Sequence, residues 1–134
     1  PPPPLATRRA AAVSPVVLQL SLPHTAIVRV EDLPWSEGYA YYVKPGQSLE
    51  LPIHVYNFGT ADARGGLEIE RQPEGWDLQL PSTDVTIKPN DRNELRASLR
   101  VPADAATRDG WIVLRADCGD QGRPVLAFRI LVKD

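Results

Sequence analysis

The chain offers few side chains that could act as a nucleophile or a metal ligand. Its histidines are His24 and His54, its one cysteine is Cys118, and neither His-x-x-x-His nor Gly-x-Ser-x-Gly occurs in the sequence. Zinc sites and hydrolytic triads need several such groups held close together. We therefore expect no catalytic residue, no bound metal and no cofactor.

Carboxylates are the remaining candidates for acid–base or metal chemistry. The chain has 17 of them, and most alternate outward along predicted strands, which is typical of a solvated face and not of the facing pair that glycoside hydrolysis needs. Asp117 and Asp120 lie beside Gly119 and Gly122, a pattern that suits either a calcium site or a hairpin turn. The short supply of oxygen ligands favours the hairpin.

Aromatic side chains are the sharper indication of binding. Exposed indole and phenol rings stack on the apolar faces of sugars while neighbouring polar groups bond the hydroxyls. Residues 31–42 contain Trp35, Tyr39 and Tyr41 in a polar segment that leads from a loop into a strand, and this segment is the best binding candidate. The alternative, which we favour of the two, is that these rings cover the end of the domain or dock on a neighbouring domain.

Two further aromatic residues fall on the outward sides of predicted strands. Tyr56 shares its outward set with His54, and Trp111 shares another with Arg115. If the two strands are neighbours, the four side chains form one aromatic platform with charged edges; otherwise they are isolated surface rings.

Charge and cysteine content exclude several classes of protein. A net charge of −2 provides no broad positive field, so nucleic acid is not an expected partner. No apolar run approaches the roughly 20 residues needed to cross a bilayer, so we expect no membrane insertion. One cysteine permits no internal disulfide, and Cys118 falls in a predicted buried strand, where an inert core thiol is expected.

Alternation of apolar and polar residues predicts the elements that position these side chains. This period-two pattern indicates strands with one buried face. Turn sequences such as Lys44-Pro45-Gly46 separate the runs, and no stretch sustains helical spacing. We predict an all-β fold, an antiparallel immunoglobulin-like β-sandwich of about seven to nine strands, with a closed barrel as the main alternative. The alternating runs are residues 18–22, 26–31, 49–56, 67–70, 76–80, 85–87, 94–101, 111–118 and 126–132.

The start of the chain differs in composition from the rest. Residues 1–15 are rich in Pro, Ala and Arg, which favours an extended proline-rich linker over a ligand for a proline-recognising domain. We place one sandwich domain at residues 16–134, with residues 16–41 as extra strands and residues 42–132 as the part that carries the resemblance described below. The chain does not begin with Met, so we expect it to be a segment of a longer protein.

The order of the turns resembles that of a known family. In chain order the sequence has Pro45-Gly46, Asn57-Phe58-Gly59, Pro73-Glu74-Gly75-Trp76, Pro89-Asn90, Val101-Pro102 and Gly110-Trp111. This order resembles the NPCBM-associated NEW-type domain, an immunoglobulin-like domain found beside the catalytic domains of α-galactosidases and other secreted glycoside hydrolases. The family usually has Gly where this chain has Asn90, and residues 16–41 lie outside its pattern.

Each signature residue has an expected structural role. We expect Gly59 and Gly75 to adopt backbone angles that a side chain would penalise, Asn57 to bond its neighbouring backbone, and Trp76 to close one end of the sandwich.

The resemblance implies a non-catalytic accessory module of a secreted carbohydrate-active enzyme, in an extracellular, periplasmic or cell-surface location. Its expected partners are the neighbouring domains of the parent chain and, through the aromatic residues, polysaccharide. The alternative is a structural immunoglobulin-like domain that contacts protein through an apolar loop or a free sheet edge.

Overall fold

The computed structural model describes residues 15–21, 27–29 and 39–134, and for residues 27–29 and Tyr39 it describes the backbone alone. Within these ranges the chain forms ten strands and a 3-10 turn at Gly119–Gln121. The strands are β1 (Val16–Leu20), β2 (Ile27–Arg29), β3 (Tyr39–Val43), β4 (Ser48–Asn57), β5 (Ala63–Arg71), β6 (Asp77–Gln79), β7 (Asp84–Ile87), β8 (Arg92–Arg100), β9 (Asp109–Asp117) and β10 (Val125–Val132).

The strands form two sheets that pack face to face. The first sheet has the order β1-β4-β8-β6, and the second has the order β2-β3-β10-β9-β5-β7. Neighbouring strands are antiparallel except β3 and β10, which run parallel. The predicted all-β immunoglobulin-like sandwich is confirmed, with ten described strands in place of about seven to nine. The proline-rich start lies outside the described residues, apart from Pro15.

Apolar side chains from both sheets meet in one core. Along β4, Leu51, Ile53 and Val55 are buried and alternate with more exposed residues, as period-two spacing requires. Burying such a side chain contributes about 1.5–3 kcal/mol, so this core is the main source of stability. The largest fully buried side chains are Leu51, Ile53, Leu67, Ile87, Leu99, Ile112, Leu114, Ile130, Val16, Val55, Val101 and Asn57.

Two turn residues adopt left-handed backbone angles. Gly75 has a φ of +86°, as expected, and lies before the buried Trp76, whose Nε1 donates to the Thr107 carbonyl at 3.1 Å. Asn90 has a φ of 61°. Asn tolerates this conformation better than most residues, which accounts for Asn at this turn.

The expectation that Gly59 adopts a backbone angle unfavourable for other residues is wrong. Its φ lies outside the left-handed region, but a Cβ there would lie 2.8 Å from Gln121 Oε1 and 3.1 Å from Pro15 Cβ. Close packing against Pro15 and the end of the Gln121 side chain, and not backbone angle, therefore favours Gly at this position.

The first and third strands stand on either side of an opening between the sheets. β1 is an edge of the first sheet beside β4, while β3 pairs with β10 only at Ile130–Val132. Toward β1, no described strand pairs with β10 from Val125 to Phe128. This opening and the outer face of the first sheet are the two surfaces that carry the aromatic residues described next.

Candidate functional site

The structure separates the residues that the sequence marks as a binding site. His54 and Tyr56 lie on the outer face of the first sheet, whereas Trp111 and Arg115 lie on the outer face of the second. Since β4 and β9 belong to different sheets, these four side chains do not form one platform. Trp35 and the side chain of Tyr39 lie outside the described residues, and Tyr41 is half-buried against the core.

The outer face of the first sheet carries a stack of aromatic rings. The Tyr56 and Phe58 rings are parallel within 6°, with centroids 5.6 Å apart. The His54 ring meets Tyr56 edge-on at 6.0 Å. Phe58 is 64% exposed, so the part of its ring turned away from Tyr56 faces solvent.

Residues of the flanking strands complete this surface in two rows. Val17 and Arg92 lie directly opposite Tyr56 on its two sides, so these three side chains share one face. The next row has His54 between two polar residues, and the Tyr56 hydroxyl donates to Gln19 Oε1 at 3.0 Å. We call this surface the aromatic face; its residues are Val17, Gln19, His54, Tyr56, Phe58, Arg92 and Glu94.

His54 links three strands of the first sheet. Its Nδ1 lies 2.7 Å from Ser21 Oγ, just after β1, and its Nε2 lies 3.4 Å from Glu94 Oε1 on β8. Glu94 also accepts from Arg96 Nε at 3.2 Å, and Arg96 pairs with Glu50 at 3.2 Å. These contacts fix the edge strand β1 to the sheet.

A histidine between a hydroxyl and a carboxylate also occurs in nucleophilic catalysis, where backbone N–H groups must stabilise the oxyanion. Here the Ser21 backbone N–H donates to the Pro52 carbonyl at 2.9 Å. It is therefore engaged in the sheet and not available for that task. What the two contacts of His54 do show is that Ser21, β4 and β8 are held together.

A buried asparagine holds Phe58 in place. Asn57 is fully buried; its Nδ2 donates to the carbonyls of Ala61 and Ile87, each at 2.9 Å, and its Oδ1 accepts from Gly59 N at 2.9 Å. The Phe58 N–H donates to the Pro15 carbonyl at 2.7 Å. The sequence analysis treated Phe58 only as part of a turn motif. Its spacing of two from Tyr56 was the available signal, since alternate residues of a strand share a face.

The opening between the sheets, which β1, β3 and β10 border, forms a groove of about 380 Å³. This seam groove brings together two predicted site residues, Tyr41 and Trp111, which sequence reasoning had not paired. Its volume lies within the range of small-molecule sites, and its wall is mainly apolar. The lining residues are Leu18, Gln19, Leu20, Ala40, Tyr41, Trp111, Leu126, Ala127, Phe128 and Arg129.

Ion pairs flank Trp111 on the outer face of the second sheet. Trp111 is 39% exposed. Opposite it on β10, Arg129 donates from Nε to Asp109 Oδ1 at 2.7 Å, with a second contact from its terminal nitrogen to Oδ2. Arg115 pairs with Glu70 at 3.2 Å, so its charge has a partner across strands, as expected for charges on a sheet.

The turn after β9 is a hairpin and not an obvious cation site. Asp117 Oδ1 accepts from Gly119 N and from Arg123 Nε, each at 3.0 Å. The Gly119 hydrogen bond, followed by the Arg123 guanidinium, lowers the pKa of Asp117. Among the residues that the structure describes, no three His, Cys, Asp or Glu side chains are grouped as metal ligands. No helix in the same residues is long and apolar enough to cross a membrane.

No protein-family model and no curated protein sequence matches the chain. Solved structures do resemble it. A FixG-related protein from Vibrio parahaemolyticus has a TM-score of 0.58 at 13% identity, and the match covers 91% of this chain and 100% of that one.

Two longer proteins resemble it over part of their length. E. coli alpha-2-macroglobulin in its native conformation matches with a TM-score of 0.58 at 15% identity, over 90% of this chain and 7% of that one. A family 123 glycoside hydrolase from Clostridium perfringens matches with a TM-score of 0.51 at 9% identity, over 69% of this chain and 22% of that one. At such identities the likeness shows the fold alone, an immunoglobulin-like β-sandwich.

Proposed function

We propose that the chain is a non-catalytic accessory module of a secreted multidomain carbohydrate-active enzyme, and that its aromatic face contacts polysaccharide. The observation that carries the proposal is the exposed Phe58 ring, stacked on Tyr56 and surrounded by polar side chains. An aromatic ring with polar neighbours suits a sugar, which has an apolar C–H face and hydroxyl edges.

The hydrogen bonds of the face favour a fixed geometry. Gln19 holds the Tyr56 hydroxyl and Glu94 holds His54, so these side chains lose little freedom when a ligand binds. Preorganised groups bind at lower entropic cost. Apart from Phe58, which directly follows β4, the residues of the face lie on strands of a packed sheet, which position side chains more rigidly than loops do.

Support for the accessory role comes from two directions. The turn order resembles the NPCBM-associated domains that accompany glycoside hydrolases, and a family 123 glycoside hydrolase contains a similar sandwich within a longer chain. Both lead us to propose an extracellular, periplasmic or cell-surface location, with neighbouring domains of the parent chain as partners.

Affinity electrophoresis tests this function. The 134-residue chain, its Phe58→Ala variant and its Trp111→Ala variant are run through gels that contain neutral and acidic polysaccharides. We expect at least one glycan to retard the wild type, and Phe58→Ala to weaken that binding by roughly tenfold, because a stacked ring contributes about 0.5–1.5 kcal/mol beyond its buried area. Trp111→Ala, on the other sheet, should bind normally.

Two results would contradict the proposal. Uniform migration on every glycan would rule out polysaccharide binding, and a loss confined to Trp111→Ala would move the site to the seam groove. Circular dichroism of both variants establishes that each remains folded.

The seam groove favours a second candidate function, the docking of an extended protein segment. Its wall is mainly apolar, and no described strand pairs with β10 on this side from Val125 to Phe128. A peptide that adds to such an edge gains main-chain hydrogen bonds and apolar contacts together. Uniform migration in the gels would leave this function as the better one.

A further inference from the structure

We infer that the aromatic face selects acidic polysaccharide, with Arg92 binding the carboxylate of a uronic acid whose ring stacks on Phe58. This inference rests on the proposed function and names the class of sugar that the same site takes.

The charge of Arg92 has no carboxylate partner among the residues that the structure describes. The side chain is exposed and lies opposite Tyr56. Five other arginines form ion pairs: Arg96, Arg108, Arg115, Arg123 and Arg129.

The carboxylates closest along the chain to Arg92 already have partners. Glu94, on the same face, contacts His54 and Arg96. Asp91, the preceding residue, accepts the Arg92 backbone N–H at 2.8 Å through Oδ1. The guanidinium of Arg92 therefore lies beside the aromatic stack without an ion-pair partner among the described residues, so its N–H donors remain available to a ligand.

One uronic acid residue is large enough to contact both the stacked aromatic rings and the Arg92 guanidinium. Side chains directly opposite each other in an antiparallel pair have Cβ atoms about 5 Å apart, so the Arg92 guanidinium can reach a carboxylate on a ring that stacks at Tyr56 and Phe58. Guanidinium groups bind carboxylates through two parallel hydrogen bonds. A neutral sugar would use the ring and leave the charge without a ligand.

The test compares an acidic polymer with its neutralised form. Gels contain polygalacturonate, alginate or methyl-esterified polygalacturonate, in which the carboxylates are blocked while the sugar rings are kept. We expect the acidic polymers to retard the wild type more strongly than the ester. Arg92→Gln should weaken binding to the acidic polymers by roughly tenfold, as expected for loss of a charge-assisted contact of about 1.4 kcal/mol, and should weaken binding to the ester much less, because the carboxylates of the ester are blocked.

Arg100→Gln is the matched control. Arg100 is exposed, lies on the same strand and forms no described ion pair, but it is eight residues from Arg92, or about 27 Å along β8. A local contact predicts that Arg100→Gln binds like the wild type, whereas a general effect of net charge predicts equal losses in both variants.

The outcomes separate the two proposals. Equal retardation by the acidic polymers and the ester, or equal losses in Arg92→Gln and Arg100→Gln, would overturn the inference and leave polysaccharide binding intact. If neither these polymers nor any neutral glycan retards the wild type, both proposals fail. Raising the salt concentration should weaken only the acidic interaction, because exposed charges are screened.

Discussion

Asn57 shows how one buried polar side chain can organise a surface. It bonds three backbone groups from different parts of the chain: Gly59 N, Ala61 O and Ile87 O. Phe58 lies between Asn57 and Gly59, which are joined by one of these hydrogen bonds, so its ring is directed outward beside Tyr56. The geometry of the aromatic face therefore depends on a residue that no ligand touches.

Replacing Asn57 with Ala should lower the free energy of unfolding by about 2–4 kcal/mol. The variant loses three hydrogen bonds, each with a net value of about 1 kcal/mol, and leaves buried backbone groups without partners. Urea denaturation followed by circular dichroism measures the change. We also expect weaker glycan binding, because Phe58 loses its support.

Asn93→Ala is the control for this prediction. Asn93 is exposed and donates one hydrogen bond, to the Thr86 carbonyl at 3.0 Å, so its loss should cost well under half as much. Similar losses in the two variants would contradict the central role assigned to Asn57.

Of the hydrogen bonds of Asn57, the sequence predicted only the local one, to the neighbouring backbone. The bond from Asn57 to its neighbouring backbone follows from the known turn chemistry of Asn, and it is present at Gly59. The bond to Ile87 joins residues thirty positions apart, and no local pattern encodes such a contact. The unpaired charge of Arg92 was equally hidden, because it depends on which partners Asp91 and Glu94 have in space.

At the level of elements, β5 and β9 lie too close together at Gly65 to admit a side chain. A Cβ on Gly65 would lie 1.9 Å from the Asp117 carbonyl oxygen. Backbone atoms cannot yield as a flexible side chain can, so the two strands would have to separate.

We expect Gly65→Ala to destabilise the domain by about 3 kcal/mol or more, because overpacking against backbone forces the strands to move. Thermal unfolding measures the change. If this variant does not fold at all, its absence from the soluble fraction gives the same answer, provided that the control below is soluble.

The neighbouring residue supplies the control. A Cβ on Gly66 would meet only the Thr83 carbonyl oxygen, at 3.8 Å, which is ordinary contact. Gly66→Ala should be neutral or stabilise by up to about 1 kcal/mol, because Ala reduces the freedom of the unfolded chain. Equal destabilisation in both variants would show that strand propensity, and not close approach, decides the outcome.

The strands were largely predictable, whereas their order in the sheets was not. Period-two alternation identifies the buried set Leu51, Ile53 and Val55 because alternate residues share a face. Which strands become neighbours depends on packing between distant segments, and therefore Tyr56 and Trp111 could not be assigned to different sheets from sequence. The parallel pairing of β3 with β10 is equally non-local.

At the scale of the whole molecule, the reactivity of the Cys118 thiol indicates whether the core is folded. The thiol is free and buried, and desolvation, followed by the charge of Asp117, raises its pKa. The folded state therefore holds this proton more tightly than the unfolded state. The corresponding stability is fully present below the unfolded pKa of about 8.5 and is lost as the pH rises toward the folded value.

We expect iodoacetamide to alkylate Cys118 slowly in the folded protein and rapidly in urea, since the thiolate is the reactive form. Mass spectrometry measures the rate. Thermal stability should fall as the pH rises above about 8.5, and Cys118→Ala should lose part of this fall. Rapid alkylation under native conditions would contradict the placement of the thiol in the core.

The course of the chain through the sandwich has a mechanical consequence. The chain enters at Val16, opposite the last residue of β4, and leaves at Lys133, which bonds Val43 just before β4 begins. These two points are therefore separated by roughly the length of β4, about 33 Å. Tension applied between these two points runs along the strands, so it loads β1 against β4 and β10 against its neighbours β9 and β3 in shear, and the hydrogen bonds of each pair bear the load together instead of opening one by one. The fold thus resists tension applied between Val16 and Lys133 along the length of the sheets.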